Sequence, residues 1–114
     1  MAWQTKTDLQ MDLVFNGKGS DEAVAAKGSD ALTTKLVTFK NQFNWVNHTY
    51  THLNLNTATL TQISNEIRQN VAWANGKKIS LHRNELVTGE HSGLANPAMP
   101  LALSQRGIKW IAAD

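Results

Sequence analysis

Apolar residues along the chain follow two periods, one of two and one near 3.6, and their order predicts the architecture. Leu9, Met11, Leu13 and Phe15 occupy every second position, which predicts a strand over residues 8–15. Asn16-Gly17-Lys18-Gly19-Ser20 reads as a turn, followed by a short polar and Ala segment punctuated by Gly28 and Ser29. Asp30 is a suitable N-cap for a helix whose Leu32, Leu36, Phe39 and Phe43 fall on one face. Residues 44–47 predict a short buried strand.

The clearest helix comes next, with Leu60, Ile63, Ile67, Val71 and Ala74 as its apolar stripe. Thr59 and Gln62 have the spacing of a capping box, and Gly76 stands where a glycine ends a helix. Residues 79–88 hold one strand or two. A loop from Gly89 to Asn96 precedes a helix opened by Pro97 or Pro100 and closed by Gly107. The chain finishes in a predicted strand over residues 108–114. Strands alternating with helices imply βαβ units and a parallel sheet, so the fold class is α/β: an open sheet or part of a (β/α) barrel.

Composition narrows the picture without naming a function. The 114 residues suit one small domain, read as 1–114, and fall well short of the roughly 250 of a complete barrel. The last strand has no covering helix after it, as though the chain were cut from something longer. With no Cys, disulfides and thiolate zinc sites are excluded. A formal charge of +2 is too small and too scattered to favour nucleic acid or a membrane surface. No stretch approaches the roughly 20 apolar residues of a membrane span. The opening MAWQTKTDLQ lacks the pattern of a signal peptide, and the compartment stays open.

The chemistry concentrates in His48-Thr49-Tyr50-Thr51-His52, directly after a predicted strand. Imidazole is the commonest side-chain ligand for zinc and related divalent ions. A spacing of four would put both rings on one side of a helical turn, in reach of one ion. Functional groups in α/β folds collect at the carboxyl ends of strands, which is where this pair falls. His48 and His52 are therefore the candidate metal ligands.

The same residues carry a family resemblance. Asn47-His48-Thr49-Tyr50-Thr51-His52 resembles the second motif of the NodB-type polysaccharide deacetylases, whose two histidines bind zinc at a strand end. Glu85-Leu86-Val87-Thr88-Gly89-Glu90-His91-Ser92-Gly93-Leu94, with the segment from Gly107 to Asp114, is similar to a divergent carbohydrate esterase branch that includes fungal galactosaminogalactan deacetylases. The resemblance implies a metal-dependent enzyme that removes N-acetyl groups from an amino-sugar polysaccharide, with zinc or another divalent ion as cofactor. It extends metal binding to His48 and His52 alone.

Three departures qualify what the resemblance implies. The family's first motif, an Asp-Asp pair supplying a metal ligand and a catalytic base, has no counterpart; Asp12 lies inside what looks like the family's second strand. Leu53 stands where the common family has Pro after the second His. The third motif's Arg and prolines are replaced by Glu90, His91 and Ser92, which leaves Glu90 and His91 as weak catalytic candidates. The expectation is thus the middle of a deacetylase domain, binding metal poorly and turning over nothing by itself. The rival is a non-catalytic α/β fragment or assembly module that self-associates through open sheet edges.

Other residues take structural readings. Trp45, Trp73 and Trp110 are expected in the core or in packing, Trp3 is given no role, and His82 with Arg83 is a surface pair. Lys77-Lys78 is a solvated helix end. Asn47-His48-Thr49 matches the N-glycosylation pattern, but a glycan there would obstruct the histidines, so the match is read as coincidence.

Overall fold

The computed structural model describes residues 7–113, so Trp3 and the final Asp114 lie outside the described residues. Four strands, β1 (Met11–Phe15), β2 (Phe43–Asn47), β3 (Leu81–Val87) and β4 (Trp110–Ala112), form one sheet in the order β1-β2-β3-β4. Every neighbouring pair is parallel, with Phe15 opposite Asn47 and Val87 opposite Ala112. Between them run α1 (Gly17–Lys27), α2 (Ala31–Thr38), α3 (Leu60–Gly76) and α4 (Met99–Gln105). The molecule is an α/β fold of the partial-barrel kind.

The helices share one face of the sheet. Side chains alternate along a strand, and it is Leu13, Phe15, Phe43 and Trp45 that pack with Ala74, Val71 and Leu36 on the helical side. A second cluster joins Leu86 of β3 to Ile63 and Ile67 of α3 and to Met99 and Ala102 of α4. Asp12, Val14, Val46, Glu85, Val87 and Trp110 line the opposite face, where they bound a shallow concavity of about 240 Å³. In a closed barrel that face would be the interior.

Several elements differ from the sequence expectation. The glycine-rich segment after β1 is the first turn of α1, because Gly17 meets Trp73 where no side chain would fit: a Cβ there would lie 2.5 Å from Trp73 Cγ. The helix after Asp30 ends at Thr38, and a 3₁₀ turn over Lys40–Gln42 carries Phe43 into β2 instead of onto the helix face. Asp30 does cap it, accepting from the Thr33 amide. Gly76 lies within α3, and Lys78 takes the left-handed conformation instead, at φ 55°. Residues 79–88 hold one strand, not two. Trp110 is 68% exposed because it stands on the uncovered face of a sheet edge, so its core assignment is corrected.

The rest of the pattern holds. The Thr59–Gln62 capping box is formed in both directions, Pro100 lies in the first turn of α4, and Gly107 follows that helix at φ 70°. Trp45 is buried and meets Phe15 edge-on at 5.6 Å. Trp73 is half-buried against Phe15. No helix among the described residues is long and apolar enough to cross a membrane.

Candidate functional site

β2 delivers the chain to His48 at the carboxyl end of the sheet, and the five residues that follow are irregular, not helical. Thr49 and His52 both adopt positive φ, at 67° and 64°. This double reversal, and not a helical turn, brings the two imidazoles together, with ring centroids 4.7 Å apart and planes at 72°. Left-handed conformations cost bulky residues energy, so something must hold the turn in this shape.

Three side chains do so. Asn16, at the end of β1, donates its amide to the carbonyls of His48 and Thr49 at 2.6 and 2.8 Å. Asn47 accepts from the Thr49 amide at 2.9 Å, and its own amide donates to the Ile67 carbonyl. Glu66 of α3, buried despite its charge, accepts from the Thr51 amide at 2.8 Å and from the Thr51 hydroxyl at 2.7 Å. Asn70, one helical turn further along α3, ties this arrangement to β1 by bonding Phe15, Gly17 and Asn47. Asn47 is 1% exposed and fully engaged, which removes it as a glycan acceptor.

The histidines differ in their surroundings. His48 Nδ1 lies 2.9 Å from the Val87 carbonyl, which can only accept, so Nδ1 carries the proton and Nε2 keeps its lone pair in the neutral ring. Burial disfavours the charged form of His48 and lowers its pKa; the Val87 bond opposes this, and the charges of His52 and His91 add to the lowering. A neutral ring oriented by a carbonyl is the state in which imidazole binds metal.

Gly89 places the next loop against this turn. A Cβ on Gly89 would meet the His52 carbonyl oxygen at 2.9 Å and that of Leu53 at 3.0 Å, so only glycine allows the two backbones so close. The following residues, Glu90 and His91, both have positive φ. His91 is thereby brought into electrostatic range of His48. Glu90 is turned elsewhere, accepting from the Asn54 amide. Ser92 and Asn96 anchor the loop to the backbone of Leu55 and Ala58.

The donor set fits a divalent ion in part. His48 and His52 offer two adjacent imidazoles, one with its free nitrogen defined by the Val87 bond. Among the described residues no group of three or more His, Cys, Asp or Glu could hold a metal ion. Asn16, Glu66, Asn70 and Gly89 escaped the sequence reading. Only Asn70 left a signal there, since positions 63, 67, 70 and 74 make a core stripe with a polar residue in its middle.

Known structures share this fold. A crystal structure of Agd3, a carbohydrate deacetylase, is 26% identical and superposes at a TM-score of 0.68, covering 77% of this chain and 14% of that one. A wild-type CE4-family pseudoenzyme from Bacillus anthracis shares the fold at a TM-score of 0.69 and 15% identity, over 95% of this chain and 34% of that one. A mutant of that CE4 pseudoenzyme with restored enzymatic activity matches at 0.68 and 18% identity, again over 95% of this chain and 36% of that one. No curated protein matches the chain. The chain thus spans about a seventh of the Agd3 structure and about a third of the pseudoenzyme structures. The family model described as the Agd3 deacetylase domain matches residues 25–114, which take in the histidine turn, the Gly89 loop and three of the four strands; the chain belongs to the Agd3 deacetylase domain family.

Proposed function

We propose that this chain provides the two-histidine part of a metal-dependent carbohydrate deacetylase site acting on an N-acetylated amino-sugar polysaccharide. The observation that supports it is the paired His48 and His52 at the strand ends, with His48 held in the neutral tautomer by Val87. Hydrolysis of the acetamide adds one water across the C–N bond and leaves acetate and a free amine. A divalent ion, when bound, supplies Lewis acidity and makes a bound water more acidic. His48 and His52 would hold it, with Val87 and the clamped turn fixing the rings. His91 lies on the same rim and is the candidate to carry a proton at the departing nitrogen. Glu90, turned to Asn54, is less well placed for that role. A third ligand and a base are not supplied by the described residues, so the complete site would draw them from elsewhere.

A non-catalytic reading has one observation in its favour, the same lack of a three-ligand group among the described residues. On that reading the chain is an assembly module that pairs with a second copy through the outer edges of β1 and β4. Zinc calorimetry separates the readings, with a His48→Ala/His52→Ala double variant as control. The deacetylase reading expects weak one-to-one binding that disappears in the double variant, and no acetate released from N-acetylated glycan by the metal-loaded chain alone. Heat of binding unchanged by the double substitution would sink it.

A further inference from the structure

Thr49 and His52 both sit in left-handed conformations, yet neither is Gly, Asn or Asp, the residues that enter that region most readily. Asn16 restrains the His48 end of the turn through two backbone carbonyls. At the His52 end, the side-chain restraint is Glu66. Its two oxygens take the Thr51 amide and the Thr51 hydroxyl separately, so the residue directly before His52 is fixed through both backbone and side chain. Glu66 is 7% exposed on a helix whose neighbouring positions Ile63 and Ile67 are core. Burial of a carboxyl group costs stability unless it is fully hydrogen-bonded, and here its two oxygens are spent on Thr51.

We infer that Glu66 is a positioning residue for the histidine pair: through Thr51 it sets the backbone of His52, and so the approach of the His52 ring to His48. The role in metal binding rests on the deacetylase reading; the role in ring geometry does not. α3 thus acts as a rigid bar, since its capped first turn and apolar stripe seat it on the sheet while Glu66 and Asn70 reach the loop ends. Sites built on helices hold their geometry better than sites built on loops alone, and the Glu66 clamp lends helical rigidity to a loop.

The test uses the full chain and two readouts. By NMR, the His48–His52 ring contact and the protection of the Thr51 amide from exchange are measured in Glu66→Leu, Glu66→Gln and Thr51→Val. Glu66→Leu is expected to lose both signals. Glu66→Gln is expected to restore them, because Gln still accepts from the amide and can donate to the hydroxyl. Thr51→Val keeps the amide bond and is expected to weaken the ring contact in part. Zinc affinity should fall by about tenfold in Glu66→Leu, the lower end of what loss of a ligand's supporting partner costs. Thr59→Ala serves as control, since it weakens the same helix without touching the turn.

Ring contact and amide protection unchanged in a folded Glu66→Leu would overturn the inference. If that variant fails to fold, an unchanged ring contact in Thr51→Val would do the same. A wild-type chain that binds no zinc, with the NMR signals still lost in Glu66→Leu, would count against the deacetylase reading and support the clamp.

Discussion

His48 holds its proton less tightly than an ordinary histidine, chiefly because burial penalises the imidazolium, with the charges of His52 and His91 adding to the effect against the opposing Val87 bond. Its pKa is therefore higher in the unfolded chain, at about 6.5. Between that value and the lower folded one, the unfolded chain takes up a proton that the folded chain refuses. The contribution of His48 to stability is then full above pH of about 6.5 and declines as pH falls toward the folded pKa. Urea melts of the metal-free chain should show stability dropping as pH falls below about 6.5, with a shallower slope in His48→Gln. Equal slopes in both proteins would show that the ring is as solvated folded as unfolded. At this scale the sequence carried the two candidate ligands through their spacing and position, though the turn that joins them is left-handed, not helical. Glu66 was not legible, because a Glu on an amphipathic helix reads as solvent-facing until its partner is known. Trp110 misled for the opposite reason: a tryptophan in a strand reads as core, and only the uncovered sheet face exposes it.

Among the elements, α3 was the most legible and has the most to do. Its stripe, capping box and length could be read directly, because helix signals are local. Its polar work could not, because Asn70 bonds residues more than fifty positions earlier, donating to the Phe15 carbonyl at 2.8 Å and accepting from the Gly17 amide at 2.8 Å. The same long-range contacts decide α1, whose glycines read as a turn until Trp73 and Asn70 are found packed on Gly17. Asn70→Leu should therefore be severe. It strands the buried Gly17 amide, at roughly 1–3 kcal/mol where no water reaches it, and takes one bond each from the Phe15 carbonyl and Asn47, which keep the His48 amide, the Thr49 amide and the Ile67 carbonyl as partners. Thr59→Ala, which removes only one end of the capping box, should cost about 1 kcal/mol. Denaturant midpoints of the two variants should differ accordingly; a similar loss in both would mean that water replaces Asn70 without strain.

For the whole molecule, the decisive asymmetry is between the two faces of the sheet. The helices cover one, and the other carries Val14 and Trp110 at 43% and 68% exposure on the two outer strands. Among the described residues, β1 and β4 each pair on one side only. The parallel pairing and the partial-barrel class were readable from the βα rhythm, since parallel strands need helical crossovers. Which face stays bare was not, because alternation in β1 is loose and Leu9 and Met11 are both exposed. Apolar residues on an edge with unpaired backbone groups favour association through that edge. If a second copy covers it, sedimentation should show the average mass rising with concentration, and a charge on the bare face should suppress the rise. Trp110→Lys is the informative variant, since Trp110 shares the bare face with Val14 and is the largest exposed apolar side chain among the described residues, away from the helical core. A chain that stays monomeric at every concentration would instead count against association through this face.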